Sequence, residues 1–230
     1  FVFMASVGLG ENKLEKKIAN VAQEANSLKT KTRMIYASIC PPKTVMYSME
    51  IYIVRHGETV ENNRRILQGH LPGRLTALGR QQVEGAAEEL ARSGVAFSRI
   101  VSSDLQRALD SAQLIADRLQ LPVAPLNLLR ERDWGTFTGM PIAEAAARYH
   151  KDGRWTFPDG SAERDEDIRA RAALALETLR TRFADETIVV VTHGLFARHL
   201  FAAHQGCSFR EVPPMGNAEV RRMTLLGYSD

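Results

Sequence analysis

The sequence predicts an α/β fold, a three-layer α/β/α sandwich around a mostly parallel central sheet. Two continuous apolar runs, IYIVR at residues 51–55 and TIVVVT at 187–192, read as strands buried on both faces, as strands of parallel sheets are. Stretches with helical periodicity lie between the strand-like segments, so strand and helix alternate along the chain.

Taken in order, strands are expected at 50–55, 99–103, 122–125, 187–192 and 219–225. Thr76 is a suitable N-cap for a helix reaching about Ala91, with Gly94 as its stop. Asp104 is expected to cap a helix over 105–120, ended by Pro122. Further helices are expected at about 141–149, from about Ser161 to about Ala184, and from Gly194 to about Gly206.

A chain of 230 residues with 44% hydrophobic and 25% charged content can bury a full core without disulfide or metal staples. No apolar run nears the roughly 20 residues of a membrane span, so no membrane partner is expected. The two cysteines, Cys40 and Cys207, make no disulfide framework, and a reducing cytoplasm is the expected compartment. Neither CxxC nor HExxH spacing occurs, so neither a metal nor another cofactor is expected.

Charge divides the chain unevenly. Residues 1–48 hold six lysines, one arginine and three acids, whereas residues 49–230 hold one lysine, 22 arginines and 24 acids. The abrupt change sets a boundary near Met49. Residues 1–48 read as an N-terminal extension outside the catalytic fold, and 49–230 as the catalytic domain. The extension contains one helical stretch, Glu11 to Leu28, and the breaker Pro41-Pro42. Its candidate natures are a non-native or mis-annotated stretch, a targeting segment, or a basic arm for nucleic acid or acidic membrane. Few aromatics accompany its lysines, and no nucleic-acid partner is expected.

In open α/β sheets ligands bind beyond the carboxyl ends of the strands. Arg55 and His56 end the first strand. Ser102, Ser103 and Asp104 end the second, with Arg107 one helical turn on, and Thr192, His193 and Gly194 end the TIVVVT strand. Two imidazoles with two guanidiniums suit a phosphate group. Guanidinium matches phosphate oxygens with paired hydrogen bonds, and a neutral imidazole kept unprotonated by nearby cations is a nucleophile toward phosphorus. Glu131, in the loop LLRERDWG, is the candidate acid for the leaving group. A carboxyl beside an arriving phosphate dianion is expected to hold its proton more tightly, donate it, and then serve as base for water.

RHGET with Asn62, then QGHLPGRLTALGRQQ, SSDLQRALDSA, LRERDWG and VVVTHG, resemble the histidine phosphatase (phosphoglycerate mutase-like) superfamily across residues 50–230. The resemblance implies a phosphoglycerate mutase-like fold and a phosphohistidine formed on His56. It further implies that Arg55, Arg107 and His193 hold the phosphoryl group, that Glu131 donates the proton, and that Asn62 contacts the phosphate or orders its loop. Gly57 would leave room at the phosphate and orient the imidazole through its carbonyl; Gly194 is assigned to the substrate site beside His193. No cofactor is implied. Two departures stand out. Pro72-Gly73-Arg74-Leu75-Thr76 replaces a common D-x-P-L-T, and DGSAERDED places Arg164 where many members have Ser after a Glu.

Mutases of this family carry a long insertion between the acid and the second histidine, which closes over the substrate. Here that span is only 62 positions, Glu131 to His193. A metal-independent phosphomonoesterase acting on a small phosphorylated metabolite is therefore expected: a sugar phosphate, phosphoglycerate, nucleotide or α-ribazole phosphate. The alternatives are a 2,3-bisphosphoglycerate-dependent mutase and a catalytically silent phosphate-binding domain. Arg64, Arg65, His70, Arg74 and Arg132 are candidates to line the entrance and select anionic substrates. Trp134, Phe137, Trp155 and Phe157 are candidates for an apolar wall, against the alternative of loop packing.

Overall fold

The computed structural model describes residues 45–151 and 154–228, and its compact body spans Met46–Gly227. The expected Glu11–Leu28 helix lies outside the described residues. The strands are β1 (Val45–Arg55), β2 (Arg99–Ser102), β3 (Val123–Pro125), a two-residue pair β4 (His150–Lys151) and β5 (Arg154–Trp155), β6 (Thr187–Thr192) and β7 (Val220–Tyr228). The helices are α1 (Val60–Asn63), α2 (Ala77–Arg92), α3 (Gln106–Leu119), α4 (Ile142–Tyr149), α5 (Asp165–Arg182) and α6 (Gly194–Gln205).

Five strands form the central sheet in the order β3-β2-β6-β1-β7. β1, β2, β3 and β6 run parallel. The edge strand β7 reverses: Glu219 faces Arg55 through a backbone hydrogen bond, while Thr224, farther along, reaches back to Glu50. The sheet is mixed and mostly parallel, as expected. Its two faces follow from strand alternation. Ile51, Ile53, Ile188 and Val190 pack against α5 and α6 through Ile168, Leu179, Phe196 and Leu200. Val54, Val189 and Val191 face α2 and α3 through Val83, Leu90, Ala112 and Ile115. Helices thus cover both faces and complete the three layers.

Register positions the site. Arg55 lies opposite Thr192, and Ser102 opposite Val191, so β1, β6 and β2 end level with one another. Each is followed at once by functional side chains.

Several boundaries differ from expectation. β1 begins at Val45, four residues before Met49. Thr76 does cap α2, its hydroxyl accepting from Gly79 N–H at 2.9 Å. Asp104 does not cap α3: that helix begins after Leu105 with no side-chain cap, and Asp104 takes two hydrogen bonds from Arg130 at 2.7 and 2.6 Å. The bidentate ion pair outcompetes the cap and ties the β2–α3 turn to the loop after β3. α5 starts at Asp165 rather than Ser161, because Ser161 is held in a turn by Asp159.

Candidate active site

His56 follows β1 directly, and its N–H donates to Thr192 O at 2.9 Å, extending the sheet ladder into the site. Its ring Nδ1 lies 2.7 Å from the Gly57 carbonyl. A carbonyl can only accept, so Nδ1 carries the hydrogen and Nε2 keeps a free lone pair. Nε2 in turn accepts from Arg107 Nε at 3.2 Å. Burial, reinforced by the Arg107 and Arg55 guanidiniums, holds His56 well below the ordinary imidazole range. The imidazole is therefore neutral and single-tautomer, with its nucleophilic nitrogen aimed at a guanidinium.

Gly57 earns its place through packing. A Cβ there would lie 2.3 Å from the Gly79 carbonyl oxygen, and a Cβ on Gly79 would lie 2.0 Å from that of Glu58. The first turn of α2 rests backbone-to-backbone on the strand end. The side-chain position at Gly57 faces that helix, and the residue's carbonyl is the one that meets the imidazole of His56.

Arg107, 1% exposed, spends its other nitrogens on the Gly69 and Leu71 carbonyls and so fixes the loop over the site. Burial lowers its guanidinium to about 10, against the opposing pull of Glu131 and Glu61. Arg55 donates from Nη1 to Met215 O at 2.7 Å, while its Nε is buried with no partner. A Cβ on Gly194 would come within 3.1 Å of that Nε, so the glycine opening α6 is what lets the guanidinium lie across the helix start.

His193 is fully buried, with its ring 5.2 Å from that of His56. Its Nε2 lies 2.8 Å from Ser103 Oγ, and its Nδ1 is buried without a partner. Ser103 Oγ also accepts from Leu105 N–H. Its hydroxyl hydrogen can be donated to His193 Nε2, and in that tautomer Nδ1 carries a hydrogen free to donate. Burial and the Arg107 charge keep this ring neutral too.

Glu131 reaches the start of α6 from the loop after β3. Its Oε1 accepts from Arg132 N–H at 2.9 Å and Phe196 N–H at 3.0 Å, and its Oε2 from Leu195 N–H at 3.1 Å. A helix N-terminus offers free N–H groups, and here they fix the carboxyl in place. Arg171 secures the loop from behind, donating to the Leu128, Arg130 and Glu131 carbonyls and pairing with both oxygens of Glu163. Asn62 closes a capping box with Thr59 and accepts from Asn217 Nδ2 at 3.3 Å, so it orders its loop while its side chain borders the site.

Arg55, His56, Asn62, Arg107, Glu131 and Gly194 share one cavity of about 290 Å3. Its outer wall is Ile66, Leu67, Trp134, Ile142, Leu195, Pro214 and Met215, with Gln68 and Arg198 among them.

A strand-end imidazole, two guanidiniums, a second neutral imidazole and one carboxyl are now in one place, and residues 51–229 match the family model of the histidine phosphatase superfamily (branch 1). The chain belongs to that superfamily. It is 36% identical over 185 residues to phosphoglycerate mutase-like protein 4 of Arabidopsis thaliana, covering 76% of this chain and 79% of that one. It is 34% identical over 180 residues to the glucosyl-3-phosphoglycerate phosphatase of Mycolicibacterium vanbaalenii, covering 72% and 78%. The solved structure of a mycobacterial glucosyl-3-phosphoglycerate phosphatase superposes with a TM-score of 0.67 at 29% identity, over 77% of this chain and 90% of that one.

The specificity candidates fare differently. Arg132 is buried, donates to the Glu163 carbonyl and to Asp165 at 2.8 Å, and lies over Trp134; it is a scaffold residue. His70 faces another cavity, donating to the Glu131 carbonyl beside Asp133. Arg64, Arg65 and Arg74 are exposed and do not line the site cavity. Of the four aromatics only Trp134 lines it. Phe137, Trp155 and Phe157 pack on one another and on Tyr149, with ring centroids 4.4 to 5.8 Å apart, so loop packing is their role.

Sequence reading gave Ser103 and Arg198 no role. Both had a signal: Ser103 ends β2 level with the histidines, and Arg198 stands one helical turn beyond Gly194 on the same face of α6. Among the described residues no helix is long and apolar enough to cross a membrane.

Proposed function

We propose that the chain is a metal-independent phosphomonoesterase that works through a phosphohistidine on His56 and acts on a small phosphorylated metabolite. The observation carrying this reading is the neutral, single-tautomer His56 whose Nε2 meets Arg107 Nε at 3.2 Å inside the cavity that Glu131 borders. Nε2 attacks phosphorus in line as the ester oxygen departs. Arg107 Nε passes its hydrogen bond from Nε2 to a phosphoryl oxygen as the substrate binds, which frees the attacking lone pair. Arg55 Nε and His193 Nδ1, both buried and unpartnered, supply donors for further equatorial oxygens. The departing alkoxide takes a proton from Glu131. Glu131 next removes a proton from water, which attacks phosphorus, breaks the N–P bond and returns neutral His56.

The 62 positions from Glu131 to His193 hold α4, the β4–β5 pair and α5, and are too short for the long insertion expected of a mutase. That favours hydrolysis over mutase transfer. The fully furnished site disfavours a silent binding domain.

The test is phosphate release in EDTA across sugar phosphates, phosphoglycerates, nucleotides, α-ribazole phosphate and an aryl phosphate, with His56→Ala alongside. Release should survive EDTA and vanish in His56→Ala. Release that persists in the folded variant would sink the phosphohistidine route, and release that EDTA stops would sink metal independence.

A further inference from the structure

Away from the phosphoryl end the cavity is lined mostly by apolar residues, with two polar side chains: Gln68, whose Oε1 accepts from Thr59, and Arg198, the charged one. This arginine is built in rather than dangling in solvent. Its Nε donates to the Val212 carbonyl at 2.8 Å, and its guanidinium lies over the Phe209 ring, 5.3 Å from the centroid. Those two contacts orient the guanidinium and leave its terminal nitrogens uncommitted. No carboxylate pairs with it among the described residues, unlike Arg130, Arg132 and Arg171. The charges that act on it most are those of Arg210 and Arg221, both of its own sign. A fixed cation among like charges, partly desolvated and without a counterion, is a standing electrostatic cost that an incoming anion relieves.

Position defines the geometry. Arg198 follows Gly194 by one turn of α6, which sets it about 6 Å farther along the helix from the phosphoryl end of the cavity. Trp134, Leu195 and Met215 line the same cavity.

We infer that Arg198 is a specificity residue that binds a second anionic group, carboxylate or phosphate, on the substrate's leaving group, separated from the phosphoryl ester by a short apolar body. The preferred substrates are thus phosphomonoesters that carry a second anion, and uncharged alcohols are poorer leaving groups for recognition. This inference rests on the phosphatase reading above.

The test compares phenyl phosphate with its 3- and 4-carboxylate derivatives on the wild type, Arg198→Gln and Arg198→Lys, reading kcat and KM separately. The wild type should favour one carboxylate derivative by roughly tenfold or more in kcat/KM, the worth of a charge-assisted hydrogen bond, with the difference in KM. Arg198→Gln should bring that ratio close to one, and Arg198→Lys should restore part of it. A purely structural role would lower turnover of all three esters together and leave the ratio unmoved, which would overturn the inference. So would a wild type that hydrolyses phenyl phosphate with no preference among the three. Failure of the wild type to release phosphate from any of them would remove the phosphatase reading itself, and the inference with it.

Discussion

Replacing Gly57 by alanine tests how a packing contact sets the chemistry. The new Cβ would lie 2.3 Å from the Gly79 carbonyl oxygen and 2.8 Å from Val83 Cγ2. Ordinary carbon–oxygen contact needs about 1 Å more, and both partners belong to the first turns of α2, so backbone must move. The Gly57 carbonyl now sits 2.7 Å from His56 Nδ1. A shift of about 1 Å takes it past hydrogen-bonding distance and frees the imidazole to choose its tautomer and tilt. Overpacking of this kind costs about 1–3 kcal/mol in stability. Displacing a nucleophile by about 1 Å costs roughly a hundredfold in rate. The assay is single-turnover hydrolysis of an aryl phosphate, with urea unfolding to establish that the variant is folded. Gly79→Ala should act through the same peptide from the other side, because its Cβ would lie 2.0 Å from the Glu58 carbonyl oxygen and 2.8 Å from Glu58 N, the nitrogen bonded to the Gly57 carbonyl carbon. The reasoning fails if folded Gly57→Ala forms its phosphoenzyme within about threefold of the wild-type rate.

Two further outcomes are expected. Glu131→Ala should slow hydrolysis of alkyl phosphates far more than that of an activated aryl phosphate, whose leaving group needs little protonation; equal losses, where chemistry limits both rates, would remove Glu131 from the acid role. His199 should make the fold acid-sensitive. Burial lowers its imidazole to about 4, so between about pH 6.5 and 4 the unfolded chain takes up a proton that the folded one refuses, and stability falls with pH across that window. Its full contribution is about 3 kcal/mol, and His199→Leu should lose correspondingly less stability than wild type between pH 7.5 and 4.5 in urea titrations. Parallel losses in the two proteins would contradict this.

How much could be read from the chain alone depended on the range of the forces involved. The layered fold was legible because strand runs and helix periods are local and the core demands them. So were His56, Arg107 and His193, because each directly follows or closely trails a strand that must be parallel, and parallel strands align their carboxyl ends. Glu131 was legible only as a candidate acid in its loop, since nothing local shows that the loop reaches the start of α6. The specificity arginines went astray for a general reason: a sequence shows charge but not its counterion. Arg132 answers Asp165, and Arg74 stays on the surface, whereas Arg198 was passed over although it alone among them lines the cavity. The cavity's outer wall, drawn from residues 66–67, 134, 142 and 214–215, is assembled by tertiary contacts that no local pattern records.

The level ending of β1 and β6 has a consequence for motion. The amides of Arg55 and His56 are bonded to Glu219 and Thr192, one on each side of β1. Exposing the His56 amide means parting β1 from β6, the middle strand, so its hydrogen exchange should require global unfolding, whereas the Arg55 amide is freed by release of the edge strand β7 alone. His56 therefore follows directly on a strand that is paired on both sides. The residues that meet the rest of the substrate stand on loops and a helix flank, where exchange of one side chain for another leaves the strands untouched. In such a frame a lineage can change what it hydrolyses without reopening the question of how.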